Sequence, residues 1–298
     1  MKKVIEINIT DYISVFLNNL LVKSDNGNIT IPLKQIETLI LNNSRSNVSV
    51  SLISNIIKED INFIICDEKH LPIASIIRIN GNYDNSRFIK QLSWTNEFKA
   101  KIWKEIIKLK IQNSFNLLQE LDLFKTIDDC KKFLEYRNNV LEGDLTNREG
   151  HAAKVYFNLL FGKNFDRRSE NKINHALNYG YSILLTYISR CLISSGLDNR
   201  VSIWHNSKFN SLALACDLIE PFRSQVDYLV YKMYINEEQG SLDNFKEGLF
   251  NLLDMKVSFN GKMIKFQKMI SQFIHNFEKL NYQDFIADFI KWEECELS

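Results

Sequence analysis

The sequence predicts an α+β protein, with a small β-rich N-terminal domain followed by a larger domain built only from helices. Three observations predict it. Residues 1 to about 75 look β-rich, with strand-type alternation and a strong Asn-Gly hairpin signal. Helical periodicity runs almost unbroken from residue 91. Turn-formers are scarce, with 10 Gly and 3 Pro in 298 residues. Strands collected at one end and helices at the other point to α+β rather than to an alternating fold.

In the first domain, residues 1–75, Val4, Ile5, Ile7 and Ile9 open a strand pattern, and a second apolar run extends from Ile13 to Val22. Lys23 to Asn28 forms a turn, with Asn26-Gly27 a strong hairpin signal. Short strands are expected over Ile29–Leu33 and Thr38–Leu41, a helix from Ser49 to Lys58, a buried strand at Asn62–Cys66 and a turn from Asp67 to Pro72. This domain carries no catalytic motif, so its expected roles are packing, pairing or docking. Gly81, Asn82, Asp84 and Asn85 mark a linker over residues 76–90. The helical domain, residues 91–298, opens with Trp94–Asp122, whose apolar stripe is Trp103, Ile106, Ile107, Ile111 and Leu117. Ile127–Leu141 follows and is broken by Gly143. Tyr179–Ser195 is apolar nearly all round, which places it at the domain centre. Asp217–Asn236, Leu242–Met255, Met263–Phe277 and Asp284–Trp292 complete the bundle.

Composition excludes several classes. With 45% hydrophobic and 24% charged residues, long disorder is not expected. Five scattered Cys without a C-x-x-C argue against a disulfide framework or a zinc site and suit a reducing, cytoplasmic setting. No signal peptide and no apolar run of roughly 20 residues occur, so no membrane role is expected. A net charge of +1 gives no overall attraction to a polyanion, but Arg78 to Lys110 holds eight basic residues against three acidic ones. That stripe can hold phosphates, or it can simply be a solvated helix face.

Chemistry concentrates in Ser202–Arg223. Trp204 and His205 precede a helix over Leu212–Ile219, in which Leu214, Leu218 and Phe222 repeat at core-facing spacing. Asp217 and Glu220 share one face, and Pro221 disfavours helix at Glu220 and suits a restart, which fixes the direction of that carboxylate. An imidazole, two carboxylates and the Arg223 guanidinium in one segment suit a hard divalent ion beside a phosphate. Taken singly the residues have plainer roles: His205 packs beside Trp204, and Asp217 is solvated or pairs with Lys208 or Arg223. A second carboxylate, Glu149, lies on a face otherwise made of Ala152, Ala153, Tyr156 and Leu160, so it points inward. It either closes a capping box with Thr146 or finds a partner or a ligand.

The segments NREGHAAKVYF (Asn147–Phe157), NHALNYGYSILL (Asn174–Leu185) and WHNSKFNSLALACDLIEPFRSQVD (Trp204–Asp227) closely resemble the CRISPR-associated spacer-acquisition integrase family, in its type II form. IPLKQIETLIL, Asp60–Pro72 and the Ile102–Asn113 helix agree with it in order, so the resemblance spans nearly the whole chain. The resemblance implies that the helical domain is catalytic, with Glu149, His205 and Glu220 as metal ligands and Asp217 as an auxiliary acidic position. It also implies a homodimer through the β-rich domain, and a small second CRISPR-associated protein bridging two such dimers into a heterohexamer on double-stranded DNA. The DNA would be the spacer precursor and the repeat array. Some relatives carry a second His beside the ligand; here Trp204 and Asn206 flank His205, so a second imidazole is not expected to take part. Two carboxylates and an imidazole suit one principal Mg²⁺ or Mn²⁺. Arg148, Arg167, Arg168, Lys208 and Arg223 are candidate phosphate contacts. The expected reaction is transesterification joining 3′-hydroxyl ends, and no G-x-x-x-x-G-K-[ST] is present to bind a triphosphate. A general metal-dependent nuclease for branched DNA and a non-catalytic DNA-binding scaffold are the competing readings.

Overall fold

The computed structural model describes residues 3–8, 12–24, 27–68, 72–76, 78–79, 85–205, 207–235, 249, 251–259 and 262–279. They divide into two units, Met1–Gly81 and Asn82–Ser298.

The strands of the first unit are β1 (Lys3–Ile7), β2 (Tyr12–Phe16), β3 (Asn19–Ser24), β4 (Gly27–Pro32), β5 (Ile36–Leu41), β6 (Asn47–Val48), β7 (Asn62–Cys66) and β8 (Pro72–Ile76). They form two four-stranded sheets, ordered β1-β5-β7-β8 and β4-β3-β2-β6. β1, β5 and β7 run parallel, and β8 closes that sheet antiparallel. β5 and β7 are buried along almost their whole length, which is why Thr38–Leu41 and Asn62–Cys66 read as short continuous apolar runs. The run Ile13–Val22 is a hairpin rather than one element. Leu17 (φ 46°) and Asn18 (φ 61°) take left-handed backbone, and β2 turns back on β3 with Phe16 opposite Asn19. β3 and β4 pair antiparallel out to Ser24 and Gly27; the turn residues expected between them lie outside the described residues. Helix α1 (Val50–Lys58) begins at Ser49, whose hydroxyl accepts from the Leu52 amide at 3.2 Å. Its Leu52 and Ile56, four apart, are fully buried in a core with Ile13, Leu20, Leu39 and Phe63.

The second unit contains α2 (Ser86–Leu92), α3 (Asn96–Glu120), α4 (Ile127–Asn138), α5 (Arg148–Phe161), α6 (Lys172–Ser194), α7 (Ala213–Leu218), α8 (Arg223–Ile235) and α9 (Phe266–Asn276). Two corrections to the sequence reading arise here. Residues 86–90, expected in a linker, belong to α2, which is fastened to this unit. Arg87 donates to the carbonyls of Ser195, Ile274 and His275 at the ends of α6 and α9, and the fully buried Gln91 bonds Asp198 and Val201. A guanidinium at two helix C-termini satisfies carbonyls that have no partner within their helices. Nor is the unit purely helical: β9 (Lys256–Phe259) and β10 (Lys262–Lys265) form an antiparallel hairpin, so the helix expected from Met263 begins at Phe266. Strand-type alternation in KVSF and KMIK, joined by Asn260-Gly261, accounts for it. Of the helix expected over Leu242–Met255, the described part includes a 3₁₀ turn at Leu252–Asp254. The helix expected at Asp284–Trp292 lies outside the described residues.

α3 is the axis of this unit. It packs against α4, α5, α7 and α8, with Trp103, Ile106, Ile107, Leu109, Ile111 and Leu117 buried. α6 packs against α7, α8 and α9 and is buried along most of its length, as its all-round apolar character predicts. At Gly180 the backbone of α6 comes so near α8 that a Cβ would lie 2.4 Å from Val226. That approach sets Tyr181 beside the α8 residues described next. Among the described residues, no helix is long and apolar enough to cross a membrane.

Candidate active site

The start of α5 frees Glu149 for chemistry. Asn147, in left-handed backbone at φ 50°, caps the helix through Gly150 N at 3.2 Å. The Asp144 carboxylate takes the amides of Arg148 at 2.8 Å and Glu149 at 2.9 Å. With those amides satisfied by Asp144 and Asn147, the capping box read between Thr146 and Glu149 does not form. The Glu149 carboxylate instead meets the ammonium of Lys110 on α3, 2.5 Å from Nζ.

Glu220 reaches the same ammonium from another element. α7 ends at Leu218, Glu220–Phe222 form a 3₁₀ turn with Pro221 in its first turn, and α8 restarts at Arg223, so the proline sets the bend. Asn113 on α3 ties the turn down, donating to the Pro221 carbonyl at 2.8 Å. Leu214, Leu218 and Phe222 are fully buried beneath it. Glu220 is 6% exposed. Its Oε2 lies 2.6 Å from Lys110 Nζ, and Arg223 embraces both its oxygens at 2.9 Å. Burial works against the Glu220 charge, but Arg223 and Lys110 outweigh it and hold the carboxyl at about 2. Burial likewise opposes the Lys110 charge, and Glu220 and Glu149 outweigh it, raising the ammonium.

His205 is held by Asp217. This carboxylate, fully buried on α7, accepts from the amides of Ile203 (2.7 Å), Trp204 (2.8 Å) and His205 (3.1 Å), and from His205 Nδ1 at 2.7 Å. Asp217 therefore shapes the loop that carries His205, and pairs with neither Lys208 nor Arg223. With Nδ1–H donating to the carboxylate, the neutral imidazole turns Nε2 outward as a lone-pair donor. The Asp217 hydrogen bond raises the imidazole, partly opposed by burial and helped by the charges of Asp217, Glu220 and Glu149. Trp204 stacks on Trp103 at 5.9 Å with planes 7° apart, and His205 meets Trp103 edge-on at 5.2 Å. Gly143 (φ 69°) supports Trp204 from a second direction: a Cβ there would come 2.7 Å from its indole.

Below the carboxylates lies a buried polar layer that sequence reasoning missed. Asp227 on α8 accepts from the hydroxyls of Tyr156 (2.8 Å) and Tyr181, and Arg223 sits 4.5 Å over the Tyr181 ring. Burial pushes the Asp227 carboxyl up to about 6, against the hydrogen bonds from the two tyrosines. A cavity of about 40 Å³ lined by Lys110, Ser114, Glu149, Tyr156, Arg223 and Asp227, among others, holds room for water rather than for a nucleotide.

The candidate phosphate contacts divide. Arg223 is committed to Glu220. Arg167 is bonded to Asn174 and Asn178 and lies 5.4 Å over Tyr181, which makes it part of the scaffold. Arg148 is half-buried beside Thr146, while Arg168 and Lys208 are exposed. The basic stripe is also largely engaged, with Arg87 on helix ends, Lys90 on Glu278, Lys101 on Glu97, Lys108 on Glu105 and Lys110 in the site. Tyr179 and Tyr181 are core residues, and Phe165 packs on Phe157 and Phe161.

Among the described residues, no group of three or more His, Cys, Asp or Glu side chains is placed so that it could hold a metal ion as the side chains stand. Glu149 and Glu220 nonetheless share one cation, and the His205 imidazole lies within range of both charges. Two carboxylates and an imidazole are the donor chemistry of Mg²⁺ or Mn²⁺.

The family model for the CRISPR associated protein Cas1 matches residues 8–257. The chain belongs to the Cas1 family. Among curated Cas1 proteins, the CRISPR-associated endonuclease Cas1 of Neisseria meningitidis serogroup C (strain 8013) is 29% identical over 273 residues, covering 88% of this chain and 87% of that one. A Cas1 endonuclease of Francisella tularensis subsp. novicida (strain U112) is 23% identical and spans 94% of this chain and 96% of its own length. Among solved structures, a casposase bound to integration product superposes with a TM-score of 0.79 at 22% identity, over 95% of this chain and 93% of that one. A Cas1 protein from Thermotoga maritima gives 0.76 at 17% identity, over 94% and 96%. At these identities the two structures speak for the fold, β-rich then helical, which this chain shares.

Proposed function

We propose that this Cas1 chain is a metal-dependent DNA integrase of CRISPR adaptation, joining the 3′-hydroxyl ends of short foreign DNA fragments to the repeat array by transesterification. The observation that carries this reading is the meeting of Glu149 and Glu220 on the Lys110 ammonium, within electrostatic reach of an imidazole whose Nδ1 is held by Asp217. Glu149, Glu220 and His205 Nε2 would hold one Mg²⁺ or Mn²⁺. When bound, that ion polarises a phosphodiester and stabilises the departing oxygen. The chain's own work is orientation. Asp217 fixes the imidazole, Arg223 fixes Glu220, and Asp144 with Asn147 leaves Glu149 unused by its helix end.

Membership of a family whose curated members are named endonucleases supports an enzyme, and the fold shared with a casposase bound to integration product supports joining over cutting alone. Structures with the same fold include a Cas1–DNA complex and a complex containing Cas1 and Cas2, which supports DNA and Cas2, the second CRISPR-associated protein, as partners; double-stranded DNA is the form we assign. We assign homodimerisation to the β-rich unit, phosphate contacts to exposed Arg168 and Lys208 and to Arg148, and a cytoplasmic location to the whole. The test is strand transfer into a supercoiled repeat plasmid with Mn²⁺ or Mg²⁺, assayed with the second CRISPR-associated protein present. Joined product is expected, and Glu149→Ala, His205→Ala or Glu220→Ala should each abolish it while circular dichroism stays unchanged. Full joining by any of the three would refute the site, and cut product without joined product would favour a general nuclease.

A further inference from the structure

Lys110 is the unexpected member of the site. It rises from the buried side of α3 between Leu109 and Ile111, is 18% exposed, and is the cation that Glu149 and Glu220 share, at 2.5 and 2.6 Å. Its role differs from that of the second cation, Arg223. The guanidinium touches Glu220, is held over the Tyr181 ring at 4.5 Å, and leaves Glu149 to Lys110. An ammonium on a flexible four-carbon stem has no such anchor and can withdraw. The adjoining cavity offers it space and the oxygens of Ser114 and Asp227.

We propose that Lys110 is an internal competitor for the catalytic cation. Its ammonium holds Glu149 and Glu220 together, and a divalent ion gains those oxygens by displacing it. This rests on the assignment of Glu149 and Glu220 as ligands. The physical consequence is a metal affinity set below what the two carboxylates would give by themselves, because each ion bound breaks two charge-assisted contacts in a site largely shielded from water. Before metal binds, the same contacts suppress repulsion between two carboxylates brought face to face, so the lysine exchanges affinity for a preformed ligand pair.

The experiment measures Mn²⁺ binding to the full chain by electron paramagnetic resonance, and thermal unfolding with and without Mn²⁺. The proteins compared are the wild type, Lys110→Met, Lys110→Arg and Glu149→Ala. Lys110→Met should bind Mn²⁺ about tenfold or more tightly than wild type, the order expected from losing one charge-assisted competitor. It should also unfold at lower temperature without metal and gain more from its addition. Lys110→Arg, which keeps a cation, should bind no more tightly than wild type. Equal or weaker binding by Lys110→Met, with binding still lost in Glu149→Ala, would overturn the competitor role and leave the ligand assignment standing. Binding that persists in Glu149→Ala, or no binding by any of the proteins, would overturn both.

Discussion

Single residues differ here in how much of their role can be read along the chain. His205, Asp217 and Glu220 stand within one segment, and their association follows from local geometry. The finer division of labour does not: Asp217 gathers three loop amides and an imidazole nitrogen, a role that depends on the path of the loop over α7. Replacing it should uncouple that loop. Asp217→Asn is expected to destabilise the protein by about 2–4 kcal/mol in urea titrations, since a buried multiply bonded carboxylate is being weakened. It should also lower the His205 pKa toward its ordinary value, because the hydrogen bond that raises it is weakened. Proton NMR of the imidazole across pH 5–9 reads this directly; an unchanged midpoint would exclude Asp217 as the cause. The sign for catalysis follows. A raised imidazole competes with metal as pH falls, so the acid limb of wild-type activity should lie at higher pH than that of the variant. Lys110 was legible only as one more basic residue on a helix, because neither neighbour in the chain shows that a pair of carboxylates will converge on it.

At the scale of elements, local chemistry gave the strongest readings: the Ser49 cap, the Pro221 restart and the apolar run of α6 each specify their own backbone. Where two local signals compete, the winner is decided by neighbours. Thr146 and Glu149 satisfy the pattern of a capping box, yet Asp144 and Asn147 sit closer to the amides that need acceptors. The hairpin β9–β10 shows the reverse. Alternation over Lys256–Phe259 and Lys262–Lys265 outweighs the helical periodicity of the apolar stretch that follows, whose helix begins only at Phe266. Helix packing makes its own demand at Gly180, where α6 and α8 leave no room for a methyl group. Gly180→Ala is expected to lose about 1–3 kcal/mol in urea unfolding, despite the better helix propensity of Ala, because overpacking outweighs propensity at a contact this close. A neutral or stabilising result would mean that the two helices can separate without cost.

For the molecule as a whole, the buried charges beneath the site set opposite dependences on pH. The Glu220 carboxyl lies below its ordinary value, at about 2, so its stabilisation is present above the unfolded-state value and is lost as pH falls toward 2. Asp227 lies above its ordinary value, at about 6 against 3.8, so its contribution is present below 3.8 and is lost as pH rises through 6. Between pH 4 and 7.5 Asp227 should therefore remove on the order of 3 kcal/mol of stability from the wild type. Asp227→Asn should lack that decline, and chemical denaturation of the two proteins at both pH values measures the difference. Parallel curves would show that the carboxylate is not the titrating group.

Periodicity, turn chemistry and scarcity of breakers were sufficient to divide this chain into a β-rich beginning and a helical remainder, because those signals act over a few neighbouring residues. The segment from Trp204 to Arg223 likewise carried its imidazole and carboxylates in plain view. Only the packing of α3 against α5 and the Glu220 turn decided that residues 110, 149 and 220 share one spot, and that the cation between the two carboxylates is a lysine. Side chains so distant along the polypeptide meet through the burial of apolar faces elsewhere, and no local pattern encodes that meeting.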